Sequence, residues 1–193
     1  MTTYIKEAMQ IVGNEIIIHG HPRPSEATLS VRSQLDHALR LFSRVIELNP
    51  SNWSAMWFVG KIHQRFGDHS VALEWFARAH TLNPGQVDVL REASLCAMEL
   101  GRSKEAVPYA SAALSLRPSD TGLQANLALA LLLANRLDDA KQSIGKAMAD
   151  DPADPIAKTL SRIIEHFVIA NWVRPPSTTK GLQRYWARHY RPS

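Results

Sequence analysis

The sequence predicts an all-α fold, a solenoid of stacked helical hairpins. Three observations predict it. First, Pro50, Pro84, Pro118 and Pro152 recur every 34 residues, and other positions keep the same step: Ala38, Ala72, Ala106 and Ala140; Phe42, Phe76, Ala110 and Ile144; Val45, Ala79, Ala113 and Ala147. A fixed period of this size marks one repeated supersecondary unit that buries its apolar face only against its neighbours. Second, residues 53–86 read as two amphipathic helices separated by Gly67-Asp68. Third, 193 residues with 45% hydrophobic content suit one folded domain or one short solenoid and are too apolar for a disordered chain.

The elements follow in order. Residues 1–24 carry an apolar stripe at Ile5, Ala8, Met9, Val12 and Ile16, the spacing of an amphipathic helix over 4–18, with Gly13 as a weak point. The run from His19 to Pro24 holds two prolines and reads as a loop. Residues 25–52 form a degenerate first repeat, predicted as one long helix from Ser25 to Leu48 with Ser25 as cap. The N-terminal helix is expected to replace the missing first helix of that repeat, in this molecule or in a second copy. In 53–86 the first helix spans Trp53 to Phe66, Gly67 supplies a left-handed stop, and Asp68 is placed to cap the second helix, Ser70 to Leu82. Gly60, Ala72 and Ala79 let the two helices approach while Phe76 fills the space between hairpins. Asn83-Pro84 ends the repeat.

Residues 87–120 repeat this plan with Gly101 at the turn and Pro108 assigned to the first turn of the second helix. Residues 121–154 repeat it again, with Asn135 in place of the turn glycine. Asp138, Asp139, Asp150, Asp151 and Asp154 stand at helix ends, where capping and solvation explain them better than a metal. Residues 155–171 form a terminal helix whose Ile163, Ile164, Phe167, Val168 and Ile169 wrap more than one face, so the following tail or another subunit should cover it. Residues 172–193 are a basic, aromatic tail: a linker through Arg174-Pro175-Pro176, then a short helix over Gly181 to Tyr190.

On these residues the chain resembles the tetratricopeptide repeat family. Met56-x-x-Val59-Gly60-x-x-His63, then Ala72-x-x-x-Phe76, then Pro84 track the family motif, with Met56 and His63 standing where the family has Trp and Tyr. The resemblance implies a right-handed solenoid of about three full repeats, one degenerate first repeat and a C-terminal cap helix. It also implies a concave groove lined by the first helix of each hairpin. Carried over by position, the groove takes Ser54, Trp57, Lys61, Gln64 and Arg65 from one repeat. The next gives Asp88, Arg91, Leu95, Met98 and Glu99, and the last gives Ala125, Leu129, Leu132 and Leu133. Family members that clamp a C-terminal carboxylate of heat-shock chaperones use Lys and Asn. Phe58, Asp88 and Glu92 occupy the corresponding places here, and two acids would repel that ligand.

Catalytic signatures do not emerge from the sequence: there is no phosphate loop, nucleophile elbow or zinc-binding pair of thiols, so no enzyme and no cofactor is expected. His19 and His21 lack an acidic or thiol neighbour and make no metal site. Cys96 is the one cysteine and sits among apolar neighbours, which fits a buried thiol in a reducing compartment. Without a signal-like N-terminus or a spanning apolar run, a cytoplasmic protein off the membrane is expected. Net charge is +4, yet five of the 22 basic residues fall in 171–193 with no acid, leaving 17 against 18 acids elsewhere. The first functional expectation is therefore a scaffold or adaptor binding a peptide or helix of a partner protein through Trp57, Lys61, Gln64, Arg65, Arg91, Leu95, Met98, Leu129 and Leu132. A second is a dimeric chaperone resembling the small repeat chaperones of bacterial secretion systems, paired through the N-terminal helix or through the cap helix and tail. The weakest is nucleic-acid binding by the tail, where Arg184, Tyr185, Trp186, Arg188 and Tyr190 interleave cations with rings. The tail could also fold back over the chain's own groove.

Overall fold

The computed structural model describes residues 1–13, 16, 29–170 and 173–189. Among these there are ten α-helices and no strand, in two compact units, Met1–Pro84 and Gly85–Ser193.

The first unit holds α1 (Thr2–Val12), α2 (Leu29–Leu48), α3 (Trp53–Phe66) and α4 (His69–Leu82). Helix α1 packs against α2 of the same chain, with Ala8 and Val12 buried in the cluster of Leu35, Ala38, Phe42 and Val45. The missing helix of the degenerate repeat is thus replaced in cis. Helix α1 ends at Val12, earlier than the stripe suggests, with Gly13 as its C-cap. Ile16 is nonetheless buried in a bend. The expected cap Ser25 and the pair His19 and His21 lie outside the described residues. Phe42 and Phe58 stack with ring centroids 4.9 Å apart and join α2 to α3.

The α3–α4 hairpin forms as its residues dictate. Asn52 accepts the Ala55 N–H to cap α3, and Gly67 (φ 84°) ends it in the left-handed conformation, its N–H and that of Asp68 closing on Gln64 and His63. Asp68 does not cap α4 through its side chain, contrary to expectation. Its carboxylate instead lies 3.5 Å from Nδ1 of His63. Gly60 faces the ring of Phe76 so closely that a Cβ there would sit 2.6 Å from it.

The second unit stacks α5 (Val87–Glu99) with α6 (Ser103–Leu116), α7 (Thr121–Leu133) with α8 (Leu137–Asp150), then α9 (Pro155–Ile169) and α10 (Thr179–His189). Helices α5, α7 and α9 lie side by side, and α6 and α8 back them. The turns are those the sequence demands, with Gly101 at φ 72° and Asn135 at φ 60°. Asp120 caps α7 through the Leu123 N–H, and Asp154 caps α9 through Ile156 and Ala157. Asp139 pairs with Arg136, and Asp150 accepts from the buried amide of Gln124, which also donates to the Pro118 carbonyl. Pro108 needs a correction: α6 starts at Ser103, so the proline stands in its second turn. There it removes a bond to the Lys104 carbonyl, at an exposed position where water can serve instead. Cys96 is fully buried.

Candidate interaction surface

In the first unit, α3 presents Trp57, Gln64 and Arg65, all half-buried. The Trp57 ring meets Phe58 edge-on at 4.9 Å, and its indole N–H is buried without an acceptor among the described residues. Lys61, expected to offer a cation, is only 2% exposed. Its Nζ donates to Oε1 of Gln64 at 2.7 Å and sits 6.0 Å from the Trp57 ring centroid. A buried ammonium held this way fixes its neighbours' rotamers and offers little charge to a ligand in the observed arrangement.

In the second unit, Arg91 and Leu95 of α5 and Leu129 of α7 are half-buried. Arg91 bonds to Asp88 at 2.9 Å and approaches the buried Glu92 at 3.6 Å, so two acids of its own helix offset its charge. Met98 and Leu132, which the family pattern assigns to the groove, are 0% exposed and belong to the core. The reason is visible in α7. Every side chain of LALALLL is apolar, and such a helix buries most of its circumference, Leu132 included.

The tail lies against this same unit. Pro175 is buried, and Ser103 at the start of α6 donates its hydroxyl to the Ser177 carbonyl at 2.9 Å. A Cβ at Gly101 would lie 3.4 Å from the Ser177 hydroxyl and the Thr178 methyl, so the strap runs directly over the α5–α6 turn. Thr179 then donates to Glu99 at the end of α5, and Leu182 is 5% exposed. At its other end α10 reaches α9: the Tyr185 hydroxyl and Nε2 of His166 are 3.0 Å apart, and the Tyr185 ring centroid is 5.1 Å from that of Phe167. The apolar cap helix is therefore covered in part by the chain's own tail, although Ile156 and Ile169 remain exposed. Trp186 is half-buried with its ring 5.7 Å from His166, whereas Arg184 and Arg188 face outward. Tyr190 lies outside the described residues. Two of the tail's rings thus serve packing, and its cations remain on the surface.

Sequence reasoning missed the strap. Pro176, Ser177 and Thr178 look like linker residues, and no sequence pattern brings them to Gly101. An open cleft of about 520 Å³ lies beside the strap, with Arg102, Lys104, Glu105, Leu133, Arg174 and Pro175 in its walls. Among the described residues no three His, Cys, Asp or Glu side chains converge as metal ligands, and no helix is long and apolar enough to cross a membrane.

Tetratricopeptide repeat family models match residues 30–87 and 97–163. The chain belongs to the tetratricopeptide repeat family. The sequence is 24% identical over 159 residues to the transcription factor tau 131 kDa subunit of Saccharomyces cerevisiae, covering 80% of this chain but 15% of that protein. Among solved structures, YrrB, described as a TPR protein with an unusual peptide-binding site, matches with a TM-score of 0.65 at 19% identity over 83% of this chain and 81% of its own. A MamA RS-1 ArsTM double mutant matches with a TM-score of 0.71 at 15% identity over 97% and 96%. At these identities the likeness establishes an all-α tetratricopeptide-type solenoid fold.

Proposed function

We propose that this protein is a non-catalytic interaction scaffold that binds a peptide or helix of a partner protein on the first helices of its hairpins. The observation that carries this reading is the half-exposed set on those helices: Trp57, Gln64 and Arg65 in the first unit, and Arg91, Leu95 and Leu129 in the second. These positions carry long side chains rather than small polar ones. A large amphipathic ring such as Trp57 is the kind of side chain that anchors protein interfaces. The peptide-binding description of YrrB, a protein of the same fold, is consistent with this use.

The ligand differs from a chaperone's acidic C-terminus, because Asp88 and Glu92 stand where a carboxylate clamp needs cations, and Arg91 is engaged by both. Adhesion is therefore expected from apolar and aromatic contact with modest electrostatic steering. The secretion-chaperone reading pairs two copies through α1 or through α9 and the tail; α1 packs on α2 within one chain, and light scattering of the full chain tests the pairing. The nucleic-acid reading needs free rings, and Tyr185 and Trp186 lean on α9.

The test is affinity capture with the full chain and its Trp57→Ala variant, followed by titration of whichever partner is retained. Loss of a central aromatic anchor should weaken binding by about 2 kcal/mol or more. Unchanged affinity in a variant that keeps its helical signal would remove α3 from the binding surface.

A further inference from the structure

Helix α10 has the composition of a ligand rather than of a structural cap. Its contacts fall on one line: Thr179 to Glu99, Leu182 buried, Tyr185 to His166 and Phe167. These residues are three apart, so they form one stripe along a short helix. The opposite face carries Lys180, Gln183, Arg184 and Arg188, all exposed. Helix α10 starts at the C-terminal end of α5 and reaches the C-terminal end of α9, and α7 is the neighbour of both. It therefore bridges the end of α5, a first helix that the scaffold reading assigns to a partner and whose Glu99 the family pattern places in the groove, and the cap helix α9.

The attachment is also light. Leu182 is the one buried residue of α10. An 11-residue helix is marginal in water on its own, and a segment with so few buried apolar groups belongs to the low-stability end of a structure.

We propose that α10 is an internal ligand: it holds the Glu99 edge of the second unit's binding surface and the adjoining face of α9, and a partner helix of the same chemistry displaces it. That partner segment is an amphipathic helix with a hydroxyl, a leucine and an aromatic ring at three-residue steps and basic residues on its outer side. This rests on the scaffold reading and adds its regulation. Because the tail is tethered, its effective concentration is far above that of any free competitor, and the apparent affinity of the full chain for a partner is reduced in proportion to the closed fraction.

The probe is a fluorescent peptide of residues 173–193, titrated by anisotropy into the full chain and into its Leu182→Asp and Tyr185→Ala variants. Both substitutions lie on α10 and leave every residue of α5, α7 and α9 in place. The expected result is at least tenfold tighter binding of the peptide to each variant than to the unsubstituted chain, and no binding of a peptide that itself carries Leu182→Asp. Circular dichroism checks folding, and Tyr185→Ala decides the matter if Leu182→Asp loses helix. Equal affinity for all chains, or no binding to a folded open variant, overturns the proposal. Trp57→Ala in the first unit tests the scaffold reading separately, so failure here leaves that reading intact, and failure there leaves α10 an internal clasp.

Discussion

Gly60 and Gly145 are both glycines inside helices, and their surroundings give them opposite roles. A Cβ at Gly60 would fall 2.6 Å from Phe76, a fully buried ring with no room to swing. Nothing lies within 4 Å of a Cβ at Gly145, which is exposed in α8. Gly145→Ala should therefore stabilise by about 1 kcal/mol through helix propensity alone. At Gly60 the same gain is set against overpacking of about 1–3 kcal/mol, so Gly60→Ala should be neutral to destabilising. Chemical denaturation of the two variants, with unchanged slopes, checks the contrast. Two equally stabilised variants would mean that the α3–α4 contact yields freely. A third residue acts through a helix end: Asp154 accepts two N–H groups of α9, and Asp154→Ala should cost about 1 kcal/mol, read as a lower unfolding midpoint.

At the scale of elements, α1 and α10 flank the repeats and their cap helix, and each covers a surface that these leave open. Helix α1 stands in for the absent first helix of repeat one, with Val12 2% exposed against α2. Val12→Asp would bury an unpaired carboxylate and should detach α1, lowering stability by about 3 kcal/mol or more. An unaltered unfolding curve would show that α1 contributes nothing to the first unit. Helix α10 is held at its far end by Tyr185 and His166. Tyr185→Phe keeps the ring against Phe167 and removes one hydrogen bond, a loss of about 1 kcal/mol. Hydrogen exchange of the α10 amides should then rise roughly fivefold while that of α7 stays unchanged. The hairpins were legible from sequence because proline, glycine and small residues repeat at fixed places. Cover of α9 by the tail was among the expectations, but its docking on α5 and α6 was not legible, because the contacts of Thr179 and Ser177 join positions 80 and 74 residues apart, and no local pattern encodes them.

For the whole molecule, the 34-residue ladder made the fold class legible, since one hairpin cannot bury its own face and the period gives the size of the unit that must stack. The same physics limited what could be read of the site. Position in a repeat identifies which helix a residue occupies, yet it does not fix exposure: Lys61, Met98 and Leu132, assigned to the groove by position, are all buried. In an array of this kind stability is close to a sum of hairpin and nearest-neighbour terms, so damage should stay local. Phe42 tests that. It is 1% exposed, stacks on Phe58 and belongs to the first unit's core cluster. Phe42→Ala removes a large ring from a tight site and should cost about 3–5 kcal/mol. Native-state hydrogen exchange should then lose protection in α1, α2 and α3, while α7 and α8 keep theirs. Equal loss along the whole chain would mean that the two compact units unfold as one cooperative body and that local accounting fails for this protein.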